Sequence, residues 1–129
     1  MFEKTIKKYL FNEMQLFDDS QDEDRNALNY FRRSRIHWLY LLNLMRSYYE
    51  KKPITKSDLI HKIQVSHITI LKYIKESIQL NFVEEVRSEN DKRKVILIPH
   101  NILIQDFENF YYEHTREMKQ LFDERQESS

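Results

Sequence analysis

The complete absence of glycine is the feature of this 129-residue sequence that most limits what it can fold into. Glycine makes up about 7% of an average protein and supplies the tight loops that wrap phosphates or present a nucleophile. Glycine-rich phosphate loops, dinucleotide-binding fingerprints and nucleophile elbows are therefore excluded. Cysteine is absent as well, which excludes disulfides, thiolate zinc sites and cysteine nucleophiles.

The overall composition predicts one globular domain. Apolar residues make up 40% of the chain and charged residues 33%, and the 8 tyrosines, 8 phenylalanines and 1 tryptophan provide large surfaces to bury. The N-terminal residues show no signal-peptide pattern, and the apolar runs are far shorter than the roughly 20 residues of a membrane span. We therefore expect a cytoplasmic protein that does not enter the membrane.

Charge is distributed unevenly along the chain, although the formal net charge is +0. Residues 31–51 hold 5 basic and 1 acidic side chain and residues 52–100 hold 9 and 6, whereas residues 1–30 hold 4 and 7 and residues 101–129 hold 3 and 7. A local field rather than the total charge attracts phosphates. The basic middle is compatible with a nucleic-acid surface, and equally with charges that only solvate the protein.

Apolar residues at helical spacing predict long helices over 2–17, 26–51 and 101–125. The acidic segment between the first two is either a linker or the start of the second helix. Pro53 ends the second helix, because the residue before a proline avoids helical angles.

Two shorter helices are predicted between residues 55 and 80. Thr55 is a suitable N-cap for the first and Ser66 for the second, which continues to about Leu80. The second helix is expected to bury the stripe Ile70, Ile74 and Ile78. Asn81 then stands where a helix end favours a left-handed residue, normally glycine.

Segments 82–87 and 93–98, rich in valine, isoleucine and other strand-forming residues, predict two strands, which a polar turn joins into a β-hairpin that Pro99 ends. The predicted fold class is mainly α with a small β-hairpin wing, namely a winged helix-turn-helix with flanking N- and C-terminal helices. In such modules the second helix of the pair enters the major groove of DNA and the wing reaches phosphates or the minor groove.

The polar face of the second short helix and the tip of the hairpin carry donors that base edges and phosphates accept. The predicted DNA-binding residues on the helix are Ser66, His67, Thr69, Lys72, Tyr73 and Lys75. Those on the wing are Arg87, Asp91, Lys92, Arg93 and Lys94. Each piece alone is also what an ordinary amphipathic helix or charged hairpin would contain.

Residues 54–98 resemble the multiple-antibiotic-resistance-regulator (MarR) superfamily of winged-helix transcription regulators, including the staphylococcal accessory regulator group. The resemblance rests on 54–59, 81–83 and 91–97, and on Val65, Ser66, Thr69, Ile70 and Lys72; the segment 91–97 is similar to that family's Asp-x-Arg wing. The sequence departs from the family pattern in having Asn81 for glycine, Ser77 for leucine, and a wing strand that ends in proline. Because Ser77 is smaller than the leucine of the family pattern, we expect Ile78 to provide the packing that the leucine would provide.

The resemblance implies a homodimer in which the first and last helices interlock. The residues agree, because apolar stripes outside the winged core are hard to bury within so small a chain. We expect a single domain, 1–129, in which 1–30 is the N-terminal dimerisation helix with its linker, 31–100 the winged core and 101–129 the C-terminal dimerisation helix. The alternative is a monomer whose outer helices fold back on the core.

Other kinds of site find little support in the sequence. No two histidines are three or four residues apart, so no metal site or cofactor is expected. The carboxylate pairs are adjacent in sequence and form no acid–base pair, and nothing resembles a nucleophile triad. We expect no enzyme. Four aromatic residues could line a pocket for a small aromatic effector, although core packing is the commoner role of such side chains: Tyr30, Trp38, Tyr48 and Tyr49.

Two functional hypotheses remain. The first is a sequence-specific, dimeric regulator of transcription that binds double-stranded DNA, more readily a repressor than an activator. The second is a winged-helix module that docks on a protein and barely binds DNA, which the zero net charge and the acidic ends favour.

Overall fold

The computed structural model describes residues 1–18 and 26–128, so most of the acidic segment between the first two helices lies outside the described residues. Within the described ranges the chain forms six helices and three short strands. The helices are α1 (Phe2–Asp18), α2 (Ala27–Phe31), α3 (Arg35–Tyr49), α4 (Lys56–Lys62), α5 (His67–Gln79) and α6 (Asn101–Ser128). The strands are β1 (Ile54–Thr55), β2 (Val83–Arg87) and β3 (Val95–Pro99).

The prediction of one long helix over 26–51 is wrong, because this region forms α2 and α3 with a turn between them. Each of these helices begins with its own capping side chain. The Asn26 side chain accepts a hydrogen bond from the Leu28 amide at 2.7 Å, and Ser34 Oγ accepts one from the His37 amide at 3.2 Å. A serine that can satisfy free amides starts a new helix here, although the apolar spacing continues across the break.

The predicted N-caps of α4 and α5 are confirmed. Thr55 Oγ1 accepts a hydrogen bond from the Asp58 amide at 3.0 Å, and Ser66 Oγ accepts one from the Thr69 amide at 3.2 Å. Two capped helices separated by a short turn are the helix-turn-helix that the sequence predicted.

Helices α3 and α5 end in the same way, although the chain contains no glycine. Lys51 and Asn81 both have left-handed backbones, with φ of 58° and 64°. After each of them, the next amide donates to a carbonyl in the last helical turn, over 3.1 and 3.0 Å, which is the Schellman arrangement. The left-handed conformation of Asn81 was predicted, whereas that of Lys51 was not.

The three strands form one antiparallel sheet in the order β1-β3-β2. The short strand β1 was not predicted, and it pairs Ile54 with Leu97 of the hairpin. The hairpin itself was predicted, but Pro99 lies in β3, where it pairs with Val83, rather than ending the strand before it. Proline is tolerated there because the amide of His100 is the one that bonds toward β2, so the Pro99 nitrogen faces the β1 side, where β1 pairs only as far as Leu97.

The apolar core lies where α2, α3, α4, α5 and the sheet meet, and the first turn of α6 closes it. Burial of each large side chain stabilises the fold by roughly 1.5–3 kcal/mol. The largest fully buried side chains are Tyr30, Tyr40, Phe31, Leu28, Leu41, Leu44, Met45, Leu59, Ile70, Ile74, Leu97 and Leu103.

A pair of hydroxyls lies in the core at Ser77, where the sequence departs from the leucine of the family pattern. Ser77 is completely buried, whereas Ile78 is only partly buried. Ser77 Oγ donates to the Ile74 carbonyl at 2.7 Å and accepts the hydroxyl of Tyr40 at 2.7 Å. Burial raises the pKa of Tyr40, so this hydroxyl stays protonated. Ile78 does pack against the core, as expected, but only partly buried, and the fully buried position keeps Ser77, whose hydroxyl is bonded by Tyr40.

Helices α1 and α6 extend beyond this core. Thr5 Oγ1 donates to Glu124 Oε1 at 2.9 Å, and the Tyr9 hydroxyl lies 3.3 Å from His114 Nδ1, so the two helices run antiparallel. α6 is long enough, about 42 Å, to pack its first part on the core and its later part on α1. Large apolar side chains remain exposed along the pair, among them Leu10, Phe11, Met14, Tyr112 and Phe122.

Candidate nucleic-acid interface

Helix α5 has an inner and an outer face. Ile70, Ile74 and Ser77 are buried against the core. The opposite face exposes Ile68, Leu71, Lys72 and Lys75, whose spacing of three and four residues places them on one ridge. The inner face fixes the helix, and the outer ridge is free to meet a partner.

The first turn of α5 combines capping with an exposed donor. Ser66 Oγ and Thr69 Oγ1 lie 2.8 Å apart and hydrogen-bond each other. Ser66 is exposed, Thr69 is partly buried, and His67 is exposed beside them. The two hydroxyls serve first to start the helix, whereas the exposed His67 side chain has no capping role among the contacts described.

The wing holds its cations in an ordered tip. Arg87 Nη1 donates to the Lys92 carbonyl at 2.9 Å, which ties the end of β2 to the turn. Asp91 Oδ1 accepts the Arg93 amide at 3.1 Å and Arg93 Nε at 3.3 Å. The Arg93 side chain is nevertheless 92% exposed, and Lys92 and Lys94 are also exposed. Asp91 thus orients the arginine without burying it.

The wing tip and the start of α5 border one surface hollow. The hollow has a volume of about 580 Å³, and its walls include His67 and Leu71 from α5 and Arg93 and Lys94 from the wing. Its third wall is the first turn of α4, around residues 55–58. The two predicted groups of contact residues, far apart in sequence, therefore share one face of the molecule.

Tyr73 lies on the other side of α5, although it was predicted with the contact residues. Its ring stacks on the ring of His37, with centroids 3.7 Å apart and planes inclined by 22°. Its carbonyl accepts the hydroxyl of Tyr30 at 2.9 Å. The side chain is thus engaged with α2 and α3, where it holds α5 in position.

His37 is the buried histidine at the junction between α3 and α5. Ser34 Oγ lies 2.7 Å from His37 Nδ1 and hydrogen-bonds it. Burial, assisted by the positive charges of Arg33 and Lys72, lowers the pKa of His37 to about 4. The ring is therefore neutral near pH 7, as suits a packed histidine rather than a charged contact with phosphate.

Two residues of the outer ridge, Ile68 and Leu71, were not predicted from the sequence. They are apolar, and a search for donors passes over them. The signal that could have found them is their phase, since both lie off the buried positions 70, 74 and 77. An isoleucine outside the buried stripe of a short helix is a candidate for a contact with a partner.

The four aromatic residues proposed for an effector pocket are not brought together. Tyr30 is fully buried in the core, Trp38 packs edge-on against Phe110, and Tyr48 and Tyr49 are exposed. Core packing and the separation of the two ends of α3 explain the difference. The prediction of an effector pocket lined by these four aromatic residues is therefore wrong.

A different hollow adjoins Trp38, with a volume of about 570 Å³ and walls that include Glu13, Arg32 and Phe110. Arg32 is only 7% exposed, and its guanidinium lies 4.7 Å from the centre of the Phe110 ring and 5.6 Å from that of Trp38. Among the described residues, Arg32 Nη2 has no hydrogen-bond partner. Burial lowers the pKa of Arg32, and Glu13 opposes that shift.

Among the side chains that the structure describes, no three histidine, aspartate or glutamate residues cluster as metal ligands would. None of the helices in the described ranges is long and apolar enough to cross a membrane.

Comparison with known proteins identifies the fold. No protein-family model matches the sequence, and no curated protein matches it. Solved structures do match over nearly the whole chain. FabT of Streptococcus pneumoniae, in complex with DNA, superposes with a TM-score of 0.56 at 18% identity, covering 94% of this chain and 82% of FabT.

Two further structures agree with that match. MepR of S. aureus, also in a DNA complex, gives a TM-score of 0.55 at 18% identity and covers 93% of this chain and 98% of its own. MarR gives 0.53 at 16% identity, covering 94% of this chain and 81% of MarR. The chain therefore has the MarR-type winged-helix fold that its residues predicted.

Proposed function

We propose that this protein is a sequence-specific, DNA-binding transcription regulator that acts as a homodimer. The observation that carries the proposal is the shared surface of α5 and the wing, where His67 and Leu71 border the same hollow as Arg93 and Lys94. A recognition helix and a basic wing on one face can engage the major groove and the neighbouring backbone together. The DNA complexes of FabT and MepR, which have this fold, support the same reading.

The contact residues proposed for DNA divide into two groups. His67, Lys72 and Lys75 on α5 would meet base edges and phosphates in the major groove, with Ser66 and Thr69 at its entrance. Arg87, Lys92, Arg93 and Lys94 would follow the backbone or enter the minor groove, with Asp91 as the orienting residue. Tyr73 would contribute by holding α5, because its ring stacks on His37.

The proposed division of the chain follows from where apolar side chains remain exposed. Residues 31–100, joined by the buried helix α2 and by Leu103, are proposed as the DNA-binding core, and the remainder of 1–30 and 101–129 as the dimerisation part. Phe11, Met14 and Phe122 on α1 and α6 are 65%, 67% and 64% exposed, and a second copy of the chain would cover them. Light scattering should then give twice the 16.0 kDa of one chain.

A salt titration of duplex binding tests the DNA-binding function and separates it from a protein-docking module. A regulator should lose affinity with a log–log slope of about −0.9 per phosphate contacted. Lys72→Ala should reduce that slope by about one unit if the lysine meets a phosphate, or weaken specific binding by about 1–3 kcal/mol if it meets a base. Weak binding to every duplex, with no preferred sequence, would instead favour the protein-docking module.

The sign of regulation is a separate prediction. We expect a repressor, which a reporter placed behind the selected binding site would show as lower expression. The proposal assigns no enzymatic activity to the chain and places it with the DNA in the cytoplasm.

We also propose that the hollow beside Arg32 takes a small aromatic anion as effector. A carboxylate could pair with the free Nη2, and its ring could lie against Trp38 and Phe110. Trp38 is the only tryptophan, so benzoate should change its fluorescence in a saturable way. Arg32→Ala should abolish the change, whereas Arg46→Ala, on the exposed part of α3, should not. A linear response in the parent protein would contradict the proposal.

A further inference from the structure

Ile68 is an apolar side chain that projects into solvent and packs against nothing in the core. It is the second residue of α5 and 83% exposed, more than any other large apolar side chain of the winged core. Contact with water at this position gives the fold no stability. One exposed apolar side chain is common on a protein surface, but Ile68 shares the outer ridge of α5 with the exposed Leu71, and a partner that met this ridge would cover both.

The neighbours of Ile68 define the chemistry of that partner. Leu71, one turn later on the same ridge, is also exposed, and Lys72 and Lys75 continue the ridge. The exposed Arg93 and Lys94 of the wing border the hollow beside Leu71. Two apolar side chains on a ridge that also carries two lysines, beside a basic wing, match a polyanion that carries an apolar group.

Duplex DNA has one such group on its major-groove edge, the C5-methyl of thymine. The other groups on that edge are hydrogen-bond donors and acceptors, which an isoleucine cannot satisfy. The start of a recognition helix is also the part that approaches base edges most closely.

We propose that Ile68 is a specificity-determining residue that packs against the C5-methyl of a thymine in each half-site. This inference rests on the proposed DNA-binding function and adds to it the identity of one base. Thymine at that position would be preferred over cytosine because cytosine has no methyl group at C5.

The test removes the methyl group from the DNA rather than a side chain from the protein. A duplex is first selected by the parent protein from a random pool, and each thymine is then replaced in turn by deoxyuridine. We expect one position in each half-site where the replacement weakens binding about four-fold, the equivalent of one buried methyl group. Replacement at the other thymines should leave the affinity unchanged.

Two variants assign the methyl contact to its side chain. Ile68→Ala should bind the parent duplex more weakly and should no longer distinguish thymine from deoxyuridine at that position. Ile102→Ala is the matched control, because Ile102 is also exposed, at 50%, but lies on α6. This control should keep the discrimination of the parent protein. Circular dichroism should show both variants folded, since neither side chain is buried.

The possible results separate this inference from the function on which it rests. If no duplex is selected, the proposed function and the inference both fail. If a duplex is selected but no thymine is sensitive, or Ile68→Ala still discriminates, the DNA-binding function stands and the inference is overturned. The latter result would leave a protein partner as the reason for the exposed isoleucine.

Discussion

The winged core and the pair of helices α1 and α6 differ in where their large apolar side chains lie. In the core, Leu41, Leu44 and Ile74 are at most 1% exposed, and even the polar Ser77 has its hydrogen bonds inside. Along α1 and α6, phenylalanines and methionines face outward. The core is complete in one chain, whereas the terminal helices leave a surface that a second chain can complete.

Cavity formation should give the largest contrast between the two regions. Leu44→Ala should lower the free energy of unfolding by about 2–5 kcal/mol, because a fully buried leucine leaves a hole that the close-packed core cannot refill. Phe122→Ala should change the stability of the monomer by less than about 0.5 kcal/mol. Urea denaturation at a concentration where the chain is monomeric measures both. Equal losses would break the comparison.

The neutral His37 should make the stability of the core depend on pH. Its pKa is about 4 in the folded protein against about 6.5 in an unfolded chain. Between these two pKa values the unfolded chain binds a proton that the folded chain does not. The contribution of His37 to the free energy of unfolding is therefore complete above about pH 6.5, and it is lost as the pH decreases toward 4, by about 3 kcal/mol in total.

Denaturation midpoints across this range should therefore fall more steeply for the parent than for His37→Phe, which keeps the ring stack but cannot take up a proton. Because carboxylates titrate in both proteins, the difference between the two curves isolates the histidine. Parallel curves would show that His37 is not sealed in the core.

Charge placed on the outer surface should separate assembly from DNA binding. Phe122→Glu should weaken the dimer by about 2 kcal/mol or more, since a carboxylate would be buried without a partner, and light scattering should detect the monomer. Ile68→Glu, an equally drastic change on α5, should leave the dimer intact while it repels DNA. If Phe122→Glu remains a dimer under dilution, the interface lies elsewhere.

The wing should give the smallest of these effects and the finest distinction. Arg93→Ala should weaken DNA binding by about 1–3 kcal/mol with little change in thermal stability, because the side chain is exposed. Asp91→Ala should cost less, since it removes the orienting carboxylate and not the contact itself. Lys119→Ala, an exposed cation on α6, is the control for loss of charge alone. If both wing variants bind like the parent, the pair is an ordinary surface ion pair.

Elements that depend on local signals could be predicted from the sequence, whereas elements that depend on contacts with distant residues could not. Thr55, Ser66 and Asn81 each act through bonds to nearby backbone, so their roles as helix caps and helix end could be predicted. The break after α2 was missed because the apolar spacing runs through it. The two-residue strand β1 was missed because it exists only by pairing with β3.

The candidate site divides in the same manner. The wing cations and the lysines of α5 were predicted, because charge and phase are visible in the sequence. Tyr73 stacks on His37, which lies 36 positions earlier in the sequence, and in the core Tyr40 bonds Ser77, which lies 37 positions later. Neither pairing has a local signal.

The two left-handed residues at the ends of α3 and α5 have a consequence for how this protein would adapt to a ligand. Each joins a helix to the sheet through a residue with a side chain, whose left-handed energy well is narrow and costs roughly 1–2 kcal/mol to occupy. Glycine at these joints would allow many more angles. Asn81 lies at the joint between α5 and β2, where a residue with a side chain has fewer accessible backbone angles than glycine, so we expect this joint to be stiff. If helix and wing engage a duplex together as proposed, we therefore expect the double helix to supply most of the bending and groove widening, and flexible base steps to be favoured at positions that no side chain touches.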